Sequence, residues 1–107
     1  MNDQLAYLRV MATEYIDWFP GFLKCELVDR YGNLHTFVEK VPVMCGADSQ
    51  HGHGELYPVE ITFRVLIVDE ILNGEDMDYL ISTAEPYDIK SEGGLYEFEV
   101  KKEQLIL

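Results

Sequence analysis

The sequence predicts an all-β protein, a small and partly closed antiparallel β-barrel or sandwich of about five to seven strands. Several segments alternate apolar and polar residues with the period of two that is typical of strands. β-branched and aromatic residues dominate these segments, and short stretches that contain glycine separate them. A barrel is the favoured form because closure removes exposed edges. The length of 107 residues predicts a single domain over residues 1–107.

The strongest strand pattern covers residues 59–69. Its alternation places five apolar side chains on one face, namely Val59, Ile61, Phe63, Val65 and Ile67. This predicts a strand with one buried face. Because Leu66 and Val68 make the second face apolar at the far end, we expect that end to be covered on both sides.

A hairpin is predicted before this strand. Residues 22–29 place Leu23, Cys25 and Leu27 on one face, so we interpret Cys25 as a small buried apolar residue. Residues 30–33 supply the turn, and residues 34–43 return. Pro42 has no N–H to donate, which puts this returning strand at an edge or near its end.

Two further turns follow the long strand. Residues 73–76 form the first, and residues 78–83 are the predicted return strand. Residues 92–94 form the second, after which Tyr96, Phe98 and Val100 alternate with charged residues.

The N-terminal segment, residues 5–19, fits two structures. Apolar residues at positions 5, 8, 12, 15 or 16, and 19 fit helical spacing, with Asn2 or Asp3 as a cap. Ala6, Leu8, Val10 and Ala12, followed by Ile16 and Trp18, fit a strand almost as well. We favour a strand because β-branched and aromatic residues dominate and the rest of the chain is predicted as β.

Charge restricts the partners. The chain has 20 acidic and 8 basic side chains, a net charge of −12. Such a surface repels nucleic acid and anionic membranes, so neither is an expected partner. No apolar run approaches the length of a membrane span, and no basic stretch precedes an apolar one at the N-terminus. With two cysteines and no such leader, we expect a cytoplasmic protein with free thiols.

The acids are concentrated toward the C-terminus. Residues 69–107 hold eleven acids and three bases, whereas residues 1–68 hold nine and five. This asymmetry indicates either a solvated, solubilising surface or a docking face for a basic protein. The candidate partner-binding residues are Glu75, Asp76, Asp78, Glu97 and Glu99.

The longest irregular stretch, residues 46–58, holds the candidate metal site. His51 and His53 are two residues apart, and Asp48 or Cys45 would complete a tetrahedral set, with His35 as a further candidate. The spacing matches no zinc knuckle or helical metalloprotease motif, and the flanking glycines equally describe an exposed loop.

Other chemistry has little support in the sequence. No serine lies in a nucleophile elbow, and nothing near either cysteine would lower its pKa. The acids around residue 75 do not match an EF-hand, and no glycine-rich phosphate loop is present in the sequence. We therefore expect no cofactor and favour a protein that is not an enzyme.

Residues 19–43 resemble a hairpin pattern in small bacterial proteins of unassigned function. The pattern runs from a cysteine, glutamate and leucine through a turn with Asp and Gly to Glu-Lys-Val-Pro-Val, here ending at Val43. The resemblance implies a bacterial source and a small β domain, and it transfers no activity.

These observations favour a non-catalytic domain that binds a basic protein. One example of such a domain is an immunity or inhibitor protein, whose basic partner is a nuclease toxin. The alternative is a metal-binding protein, or a small metal-dependent enzyme, that uses His51 and His53. A third possibility is a homo-oligomer that pairs through an edge strand over residues 34–43.

Overall fold

The computed structural model describes residues 4–16, 21–40 and 56–107, which form one curled antiparallel sheet in the shape of a half-barrel. This confirms the predicted all-β, barrel-like class. The strands of the described residues are β1 (Gln4–Ile16), β2 (Phe22–Val28), β3 (Leu34–Lys40), β4 (Val59–Asn73), β5 (Asp76–Ser82), β6 (Glu97–Lys101) and β7 (Leu105–Ile106). Their order is β3-β2-β1-β4-β5-β6, with β7 paired to β1 and a 3₁₀ turn, Lys102–Gln104, before it. These residues include no helix that meets the length and hydropathy needed to cross a membrane.

The N-terminal segment is a strand, as favoured. β1 buries the four side chains of the predicted strand face, Ala6, Leu8, Val10 and Ala12. A bulge between Ala12 and Glu14 then changes the alternation, so Tyr15 packs against the core. β1 pairs with β4 along one edge, and with β2 and β7 at different points of the other. This double pairing curls the sheet around β1.

Strand β4 is longer than its predicted range, and its apolar face is buried as expected. The expectation that its far end is covered on both sides is wrong. Val68 is 44% exposed, because alternation places it on the outer face of the sheet, which is open to solvent there; a bulge follows, where Ile67 pairs with Ile81 and Asp69 pairs with Leu80.

The β2–β3 hairpin forms as predicted, with Leu23, Cys25 and Leu27 buried on one face. Gly32 takes a φ of +85° in the turn, a conformation that glycine adopts without steric cost. β3 ends at Lys40 within the described part, and residues 41–43 of the predicted strand lie outside it. β3 is the first strand of the sheet order, which confirms its edge position.

Aromatic side chains join the two ends of the sheet. The Phe37 ring of β3 lies 5.5 Å from the Phe98 ring of β6, centroid to centroid, and 6.1 Å from that of Phe63 on β4. His35 meets the same Phe98 ring edge-on at 4.8 Å. Both geometries are favourable for aromatic pairs. Since β3 and β6 end the strand order, these contacts close the core where no ladder of the described residues does.

Candidate protein-binding surface

Most acids of residues 69–107 lie on the surface and form no ion pair with a described basic side chain. Of the eleven, nine are exposed, and none of these nine forms an ion pair with a described basic side chain. The exposed acids are Asp69, Glu70, Glu75, Asp76, Glu85, Asp88, Glu92, Glu97 and Glu103. We call these nine side chains the acidic surface. Their charges are available to a partner because the described fold neutralises none of them with a cation.

Three of the predicted partner-binding residues belong to the acidic surface. Glu75 and Asp76 lie at the β4–β5 turn, where Gly74 takes a φ of +64°. Glu97 begins β6 and pairs with Ser82 at the opposite end of β5. A strand advances about 3.3 Å per residue, so Asp76 and Glu97 are separated by roughly 20 Å along the sheet. The three acids therefore span the length of β5 and do not converge on one point.

Asp78 differs from this group because it is only 3% exposed. Its Oδ2 accepts a hydrogen bond from the Asn73 amide at 3.2 Å and lies 3.4 Å from Nη1 of Arg30. The predicted role of Asp78 in an exposed docking face is therefore corrected: its carboxylate belongs to an internal ion pair. Arg30 comes from the β2–β3 turn. The alternation of residues within β5 does not predict this contact between Arg30 and Asp78.

Glu99 is partly withdrawn from solvent by the same turn. Nη1 of Arg30 lies 3.6 Å from its carboxylate, and the Tyr31 hydroxyl donates to Oε1 at 2.9 Å. The hydrogen bond to this carboxylate, followed by desolvation, raises the pKa of Tyr31. The Arg30 backbone N–H also donates to the Glu99 carbonyl at 2.8 Å. Glu99 thus fastens the β2–β3 turn to β6.

Asp29 holds this turn in shape. Its Oδ1 accepts the backbone N–H groups of Tyr31 and Asn33, both at 2.9 Å, and its Oδ2 lies 2.8 Å from Nε2 of His35. Burial alone would raise the pKa of Asp29. The hydrogen bonds from His35 and from the two backbone groups outweigh burial and hold that pKa below its ordinary value. His35, a candidate metal ligand, is here a partner of Asp29.

The remaining candidate metal ligands, His51, His53, Asp48 and Cys45, lie outside the described residues. Within residues 4–16, 21–40 and 56–107, no three His, Cys, Asp or Glu side chains are placed to hold a metal ion. The histidine loop stays a prediction. Its test is the zinc or nickel content of tag-free protein, with and without the double substitution His51→Ala and His53→Ala.

A cleft of 440 Å³ lies beside the β4–β5 turn. Glu75, Asp76 and Glu103 line it together with Lys101 and Lys102. Neither lysine is within ion-pairing distance of a described carboxylate. The carboxylates of Glu75, Asp76 and Glu103 are therefore open to an external cation, such as a lysine or arginine side chain of a partner.

The outer face of β1 and β4 carries a second surface, which we did not predict. Tyr7 and Arg64 are direct partners across the two strands. Nε of Arg64 donates to the Tyr7 hydroxyl at 3.1 Å, and its guanidinium carbon lies 5.3 Å from the centre of the Tyr7 ring. The hydrogen bond to Tyr7 raises the pKa of Arg64. The available signal was that residues 5–11 are apolar at every even position and, apart from Arg9, at every odd one, which marks a strand with apolar side chains on both faces.

Comparison with known proteins adds no functional information. No protein family matches the sequence, and no curated protein or solved structure is significantly similar to the chain. The resemblance of residues 19–43 to small bacterial β proteins stays a prediction.

Proposed function

We propose that the chain is a non-catalytic domain that binds a basic protein through the acidic surface. The observation that carries this proposal is the set of nine exposed carboxylates without basic partners among the described residues. Such a surface attracts a cationic partner over a distance and accelerates association. None of the nine belongs to an ion pair of the described residues, where Arg30 pairs with Asp78 and Glu99 instead.

The width of the acidic surface favours a broad cationic partner. Asp76 and Glu97 are roughly 20 Å apart along β5, which suits an extended basic surface better than a single basic side chain. A nuclease presents such a surface because it binds the phosphates of nucleic acid. We therefore propose an immunity or inhibitor protein whose carboxylates cover a nuclease toxin, acting in the cytoplasm of a bacterium.

Two triple variants with the same change in net charge test the proposal. The first is Glu75→Gln, Asp76→Asn and Glu97→Gln, which removes three charges of the acidic surface. The control is Glu14→Gln, Glu26→Gln and Glu39→Gln, which removes three charges from strands β1 to β3. Each variant is immobilised and exposed to bacterial lysate at low and at physiological salt, and the captured proteins are identified and quantified.

We expect the wild-type and control chains to capture the same basic protein, and the first variant to capture at least about tenfold less of it. Higher salt should lower capture by all three chains, because it screens exposed charges. Equal capture by both triple variants would contradict the proposal, and so would a captured partner that is acidic.

A further inference from the structure

The outer face of β7, β1 and β4 exposes apolar side chains side by side. Leu5, Tyr7 and Met11 alternate along β1 and are exposed. Ile106 of β7 pairs directly with Tyr7 and is also exposed, and Leu66 of β4 pairs with Leu5. A contiguous exposed apolar face of this kind marks an interaction site more often than scattered single residues do.

Arg64 is held in place on this face. The contact with Tyr7 orients its guanidinium, and Arg64 forms no ion pair with any residue that the structure describes. Less entropy is lost on binding when a side chain is already oriented. Arginine and tyrosine are also enriched among the residues that contribute most to protein interfaces. Arg64 is therefore suited to meet a carboxylate of a partner.

Two charged side chains of this face, Glu60 and Arg64, complement each other when the face meets a copy of itself. Glu60 and Arg64 are four residues apart on β4, so they lie on the same face, about 13 Å apart. A two-fold axis that passes midway between them, at Thr62, brings each Arg64 opposite Glu60 of the other copy. Arg9, the direct partner of Thr62, already lies 3.5 Å from Glu60. Each Glu60 would then have two arginines beside it.

We propose that two copies of the chain associate through the outer face of β7, β1 and β4 as a symmetric dimer. In a two-fold contact the same patch serves both subunits, as the Glu60 and Arg64 arrangement requires. On β1 and β4 this face carries Arg9, Arg64 and Glu60, and Glu26 and Glu103 adjoin it beside Met11 and Arg9. The two arginines make this face less acidic than the acidic surface, in a chain whose net charge is −12, so repulsion between two copies is weaker here than there.

Sedimentation equilibrium of the full chain over a range of concentrations tests the proposal. The average mass should rise from 12.4 kDa toward twice that value as concentration increases. Replacing Leu5 and Ile106 by serine should raise the dimer dissociation constant at least about tenfold, because apolar contacts are lost on both subunits. The matched control replaces Leu34 and Leu95 by serine. These two leucines are exposed outside the proposed interface, so the control should leave the dimer dissociation constant unchanged.

A charge exchange tests the predicted pairing itself. Arg64→Glu should raise the dissociation constant about tenfold, since the substitution places two acids opposite each other twice in each dimer. The double variant Glu60→Arg with Arg64→Glu restores opposite charges between the two copies and should recover part of the lost affinity, because it also removes the carboxylate that lies 3.5 Å from Arg9. Lys40→Glu makes the same change in net charge away from the face and should have no such effect. A chain that stays monomeric at every concentration, or a dimer that Arg64→Glu does not weaken, would overturn the proposal.

Discussion

Replacing Arg30 by methionine should destabilise the fold far more than the same substitution at Arg9. The pair distances are nearly equal, 3.4 Å from Arg30 to Asp78 and 3.5 Å from Arg9 to Glu60. Burial distinguishes them, because the side chains of the first pair are 18% and 4% exposed and those of the second 44% and 52%. Breaking a buried pair leaves a desolvated charge and costs about 3–5 kcal/mol, whereas an exposed pair contributes about 0–1 kcal/mol.

For Arg30→Met we expect a loss of about 3 kcal/mol, at the low end of that range, because Asn73 still donates to Asp78. For Arg9→Met we expect less than about 1 kcal/mol. Urea unfolding followed by far-UV circular dichroism measures both. At an ordinary slope, a loss of 3 kcal/mol lowers the midpoint by about 1–3 M.

A second substitution shows whether the unpaired charge causes the loss. Asp78→Asn in the Arg30→Met background removes that charge and should recover part of the lost stability. The reasoning would be refuted if Arg30→Met cost no more than Arg9→Met. A double variant that is less stable than Arg30→Met would also refute it.

Two further predictions concern the β2–β3 turn and the residue that precedes β2. Because its pKa in the fold lies below the ordinary value of 3.8, ionised Asp29 contributes stability that is complete above that ordinary value and is lost as pH falls through the folded pKa. The asparagine side chain of the Asp29→Asn variant keeps the Oδ1 acceptor but cannot ionise. The free energy of unfolding of this variant should therefore fall less steeply than that of the wild-type protein between about pH 5 and pH 2. Gly21→Ala should cost more than about 1 kcal/mol, because Gly21 has a φ of +100° and an added Cβ would lie 2.7 Å from the Tyr15 hydroxyl. Gly93→Ala, whose Cβ would meet only the Ser91 side chain at 3.8 Å, should cost less than half as much in the same urea assay.

The strands could be predicted where alternation and burial agree. The sequence pattern and the structure place the same four side chains on the buried face of β1, namely Ala6, Leu8, Val10 and Ala12. The strand interpretation was therefore sufficient to predict which side chains of β1 are buried. The bulge after Ala12 could not be predicted, because it depends on the register against β2. Val68 shows a second limit: alternation predicts that it lies on the outer face, but whether another element covers that face depends on the tertiary structure.

The candidate surface was predictable only for residues whose environment is local. Glu75 lies in the β4–β5 turn and Asp76 directly after it, and turns lie at the surface. From its position in the predicted return strand, Asp78 was expected to be exposed. Arg30, which is far away in sequence, covers it instead. The pairing of Tyr7 with Arg64 likewise depends on the register between β1 and β4, which their sequences alone do not contain.

The association rate constant with the captured basic protein, measured by stopped flow at several salt concentrations, tests the central claim most directly. If the acidic surface steers the partner, the wild-type rate should fall steeply as salt rises. The variant with Glu75, Asp76 and Glu97 neutralised should associate more slowly and with a flatter salt dependence, while the Glu14, Glu26 and Glu39 control stays close to wild type. Rates that are the same for all three chains, and insensitive to salt, would contradict the account.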